Sequence, residues 1–117
     1  MIGGLAAEAG GFVRGAENIA RFDSLVEARA AARQMAGLGE DTVKYVSEVG
    51  PMRGQVLGSA SADGVRGWRI DFDATRGYHV NWWDMTGGAK RSSWTYGANI
   101  INGGMEGDFL NFLQHLQ

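Results

Sequence analysis

A chain of 117 residues is long enough for one domain with a modest core and too short for two ordinary ones. It has no cysteine, which excludes a disulfide scaffold and any thiolate metal site, and no apolar run approaches a membrane span. The net charge of −2 supplies no global basic field. Residues 53–97, however, carry six basic and four acidic side chains, between flanks with five and seven (1–52) and none and two (98–117). The middle is therefore mildly cationic, by an excess too small to define a nucleic-acid surface on its own.

Residues 1–22 read as a glycine-rich tether or a loosely packed helix. Phe12, Ala16 and Ile19 make a weak face, and Gly10, Gly11 and Gly15 lower its intrinsic helicity. Met1 leads directly into Gly3-Gly4 without a basic region or apolar segment, so no secretory signal is expected. Residues 23–117 read as a single α+β domain. Ser24 and Glu27 form an S-x-x-E capping box, followed by Leu25, Ala28, Ala32 and Met35 at helical spacing, with Gly37 and Gly39 as terminators. Asp41 is placed to cap a second short helix through Val46, stopped by Gly50-Pro51.

Arg53–Ala60 reads as a first strand, and Asp63-Gly64 as a hairpin turn into the most informative stretch, Arg66–Asp84. There Trp68, Ile70 and Phe72 alternate with Arg69, Asp71 and Asp73, and Tyr78, Val80 and Trp82 alternate with His79, Asn81 and Trp83. An antiparallel hairpin with Phe72 opposite Tyr78, Ile70 opposite Val80 and Trp68 opposite Trp82 gathers the apolar side chains on one face. The same register gathers Arg69, Asp71, His79 and Asn81 on the other, with Asp71 across from His79. Residues 90–96 suggest a fourth strand and residues 99–104 a loop. Asp108 is read as the cap of a last helix whose Phe109, Phe112, Leu113 and Leu116 stripe covers the sheet. The expected architecture is N-terminal helices, an antiparallel sheet of about four strands, and a C-terminal helix packed on it.

The polar face supports three chemistries. Arg69, Asp71, His79 and Lys90 are the group types of metal-independent RNA cleavage: an imidazole moves protons, a carboxylate orients it, and cations hold the phosphate. Asn81, Trp83, Arg91, Ser92, Ser93 and Tyr96 are then substrate-binding candidates, with Trp83 placed to stack on a base. Alternatively, Asp71, Asp73, His79 and Asp84 offer oxygen ligands and an imidazole to magnesium or manganese, or serve only as solvated strand polarity. A third reading is a noncatalytic module whose tryptophan-rich sheet recognises a protein or carbohydrate. His115, in the last helical turn, reads as structural.

The strings Gly67-Trp68-Arg69-Ile70-Asp71-Phe72-Asp73, Gly77-Tyr78-His79-Val80-Asn81-Trp82-Trp83-Asp84, Lys90-Arg91 and Tyr96-Gly97-Ala98-Asn99 resemble C-terminal toxin domains of bacterial polymorphic toxins, the variable tips of Rhs-type and contact-dependent inhibition proteins. The resemblance spans residues 24–117 and is densest in 64–99. It implies a ribonuclease tip, many such tips cutting tRNA, that is delivered from one bacterial cell and acts in the cytoplasm of another. It further implies a cognate immunity protein as partner. No cofactor, no bound metal and no membrane span are expected, and the free domain is expected to be a monomer. A second catalytic histidine or lysine is common in such tips; here Lys90 is the nearer choice and His115 the remote one.

Overall fold

The computed structural model describes residues 11–117, so the start of the expected tether, residues 1–10, lies outside the described residues. The domain is α+β. Its six strands are β1 (Glu17–Phe22), β2 (Thr42–Val46), β3 (Val56–Ser61), β4 (Arg66–Asp73), β5 (Gly77–Asp84) and β6 (Thr95–Ile101). Its two helices are α1 (Leu25–Ala36) and α2 (Glu106–Leu116). The spatial order is β1-β6-β5-β4-β3-β2, with β1 parallel to β6 and every other pairing antiparallel.

The β4–β5 hairpin has the register that its alternation dictates: Phe72 faces Tyr78, Ile70 faces Val80, Trp68 faces Trp82 and Asp71 faces His79. One slip would turn every apolar side chain to the opposite face, so burial of the aromatic set leaves one register. Trp68, Ile70, Tyr78, Val80 and Trp82 form the floor of the core. Both helices pack on this face. Ala28, Ala31, Ala32 and Ala36 of α1 are fully buried, their small side chains letting the helix lie close to the strands. Ser24 Oγ accepts the Glu27 N–H at 3.2 Å, and Gly37 closes α1 in the left-handed region at φ 72°. From α2, Phe109 meets Tyr78 edge-on at 5.7 Å and Phe72 at 6.1 Å.

Five expectations need correction. The sheet has six strands and is mixed. Residues 17–22 form a strand, because Asn18, Ala20 and Phe22 turn inward while Glu17, Ile19 and Arg21 stay outside; Phe12 packs on Trp82 at 5.1 Å between ring centroids. The Asp41 segment is edge strand β2, paired with β3, so the β-branched Thr42, Val43 and Val46 override the capping signal. The fourth expected strand is displaced along the chain. Residues Arg91–Ser93 make a 3₁₀ turn, and the isoleucine pair assigned to a loop lies in β6. β6 lies between β1 and β5 with Ala98, Ile100 and Ile101 buried, so these residues fit it and the exposed Lys90-Arg91 do not. Helix α2 starts at Glu106, with Asp108 in its first turn accepting the Met105 N–H at 3.3 Å, rather than with Asp108 as its cap.

Candidate active site

With both described helices on one face, the other face of the sheet is left open. Strand pairing arranges it in three cross-strand rows. The middle row is Tyr45, Gly58, Arg69, Asn81, Ala98, Ile19. On one side of it run Gly67, Trp83, Tyr96 and Glu17; on the other, Asp71, His79, Ile100 and Arg21. A concavity of about 540 Å³ opens on this face, lined from the middle row by Tyr45, Arg69 and Asn81.

His79 forms the floor at the Asp71 end, with a side chain only 2% exposed. Its Nδ1 lies 2.9 Å from the Gly77 carbonyl oxygen. A carbonyl only accepts, so Nδ1 carries the hydrogen and Nε2 is the nitrogen turned toward the carboxylates. Nε2 is 4.0 Å from Asp71 Oδ2 and 3.9 Å from Asp73 Oδ2. These two side chains are 43% and 47% exposed, lying over the ring from the solvent side. Asp71 also meets Arg69 at 3.9 Å and Asn81 Nδ2 at 3.5 Å. Asp73 accepts the N–H groups of Arg76 (2.6 Å) and Thr75 (2.9 Å), which hold its carboxyl below the usual range and fix the β4–β5 turn.

That turn delivers Arg76, whose guanidinium grips both carboxylate oxygens of Glu17, 59 residues away, one of them at 2.6 Å. This fork holds the Glu17 carboxyl below its ordinary value and raises Arg76. Aromatic pairs wall the concavity. Trp83 meets Tyr45 edge-on at 5.2 Å, hangs from the Gly64 carbonyl by its Nε1 at 3.1 Å, and lies over Gly67, where any β-carbon would strike the indole. Opposite, Trp94 meets Tyr96 edge-on at 6.4 Å, and the Arg91 guanidinium sits 4.5 Å from the Tyr96 ring centre.

Of the residues singled out from sequence, Arg69, Asp71, His79, Asn81, Trp83, Arg91 and Tyr96 line the concavity. Lys90, Ser92 and Ser93 do not: they lie on and beside the 3₁₀ turn, with Lys90 and Ser92 exposed. Lys90 therefore stands outside the concavity. Sequence reasoning missed Glu17, Tyr45, Arg76 and Trp94 as lining residues. The alternation of Glu17–Phe22 was a readable signal for the first, whereas Arg76 looked like ordinary turn polarity. Among the described residues no three His, Asp or Glu side chains converge as metal ligands, and Asp84 pairs instead with Arg66 at 3.4 Å.

The chain matches no protein-family model and no curated protein. The concavity holds an imidazole, three carboxylates and three guanidinium groups between aromatic walls on the sheet. Such a set can hold a phosphodiester, stack flanking bases and move protons.

Proposed function

We propose that the protein is a metal-independent endoribonuclease that cleaves RNA by attack of a ribose 2′-hydroxyl on the adjacent phosphate. The observation that carries this reading is the placement of His79. Its tautomer is set by Gly77, its Nε2 faces Asp71 and Asp73, and arginines and base-sized aromatic walls stand beside it. In this reading His79 transfers a proton, Asp71 orients the ring, and Arg69 and Arg91 neutralise the phosphate. The likeness to polymorphic-toxin tips supports tRNA as the target, delivery into a competing bacterium, and an immunity protein as the natural inhibitor.

One observation favours a noncatalytic binding module instead, namely the burial of the His79 ring. Purified protein incubated with bacterial total RNA in EDTA separates the two. Cleavage that persists in EDTA and disappears in His79→Asn supports the ribonuclease. Cleavage lost in EDTA and restored by magnesium moves the chemistry to Asp71 and Asp73. Intact RNA, with normal growth of a bacterium expressing the domain without any immunity gene, favours the module.

A further inference from the structure

Two-step proton transfer at a phosphodiester needs two groups, one to take the 2′-hydroxyl proton and one to protonate the departing 5′-oxygen. With Lys90 outside the concavity, that second group must come from residues that the open face itself presents. We infer that Glu17 is the general base of this site and His79 its general acid, an assignment that rests on the ribonuclease reading.

The strand rows carry the argument. Glu17 ends the Trp83–Tyr96 row and His79 stands in the Asp71–Ile100 row, so the two flank the middle row from opposite sides. Arg76 enters from the His79 end, one residue before β5, and reaches across to Glu17. A phosphate taking one face of the Arg76 fork would lie between the carboxylate and the imidazole. Base and acid would then stand on opposite sides of phosphorus, as in-line displacement requires.

The remaining carboxylates are held by backbone N–H groups, whereas Glu17 is held by the Arg76 side chain, which a phosphate can engage in its place. Asp73 is committed to the turn N–H groups of Thr75 and Arg76, and Asp71 accepts the Phe72 N–H at 2.8 Å. The charged groups facing Glu17 are Arg76, His79 and Arg91, and with Arg76 dominant they keep the carboxyl ionised at neutral pH, the state a base needs. The atoms balance. Glu17 takes the 2′-hydroxyl proton, the 2′-oxygen bonds to phosphorus, and the phosphorus–5′-oxygen bond breaks. The 5′-oxygen takes a proton from His79 Nε2. The products are a 2′,3′-cyclic phosphate and a 5′-hydroxyl, and proton exchange with water resets both groups.

The test pairs RNA with a ribonucleoside 3′-aryl phosphate, whose phenolate leaves without protonation. Glu17→Gln should lose about 10²-fold or more on both substrates, the usual scale for an absent base. His79→Asn should lose as much on RNA and stay near wild type on the aryl ester. Thermal unfolding confirms that each variant is folded. A role limited to holding Arg76 is separated by the pH profile. The fall in kcat/KM below the ordinary glutamate range should vanish in Glu17→Gln, whereas a merely structural loss lowers the whole curve and keeps that limb. Full activity of folded Glu17→Gln, an unchanged acid limb, or equal loss on both substrates in His79→Asn overturns the assignment. Wild-type protein inert toward both substrates overturns the ribonuclease reading and the assignment with it.

Discussion

Asn99 donates from Nδ2 to the backbone carbonyl of Ala28 at 3.0 Å, and both residues are fully buried. The bond ties the middle of β6 to the first turns of α1, across the layer between sheet and helix. Strand β6 also presents Tyr96 to the concavity, so the same strand couples the core to the site. Asn99→Ala removes a buried hydrogen bond and leaves a small cavity. It should destabilise the fold by about 1–3 kcal/mol, read as a lower urea midpoint with an unchanged slope. An unaltered midpoint would show that the bond contributes nothing net.

His79 is buried, so alanine and asparagine should behave differently there. His79→Ala empties a packed position and should lower the melting temperature as well as cleavage. His79→Asn keeps a donor for the Gly77 carbonyl and most of the volume. It should melt close to wild type while cleaving RNA about 10²-fold or more slowly. Full cleavage by the asparagine variant would make His79 a packing residue.

The Glu17–Arg76 pair links stability to pH. Arg76 lowers the Glu17 carboxyl below its ordinary 4.5, so the folded state binds that proton more weakly than the unfolded chain does. The pair's stabilisation is therefore fully present above the unfolded value and is lost as pH falls through the lower folded one. Glu17→Gln should melt below wild type at pH 7, and the gap should close on acidification below 4.5. A gap that is constant or widens with acid would contradict this sign.

Arg91 lies over Tyr96 and Trp94, 4.5 and 5.6 Å from their ring centres, and forms no ion pair among the described residues. If it contacts phosphate, Arg91→Ala should weaken RNA binding for all sequences alike and flatten the salt dependence by about one phosphate's worth. Arg91→Lys should recover charge but not stacking, and so rescue only part of the affinity. Unchanged salt dependence in the alanine variant would remove Arg91 from the phosphate site.

The β4–β5 hairpin was legible in the chain because its information is local. Side-chain direction has period two, the apolar residues of Arg66–Asp84 alternate cleanly, and one register buries them all. The opposition of Asp71 to His79 follows from that register alone, and the helical spacing and cap of α1 are local in the same way. Three other features depend on long-range packing. Tyr96 and Glu17 become neighbours only when β1 closes the sheet against β6, a pairing that no local pattern encodes. Thr42–Val46 lies between weak helical and strand preferences, and pairing with β3 decides it. The burial of His79 and the meeting of Arg76 with Glu17 depend on how a three-residue turn and an edge strand converge in the packed sheet. Alternation assigns a residue to a face, but only the packed sheet determines which members of that face meet.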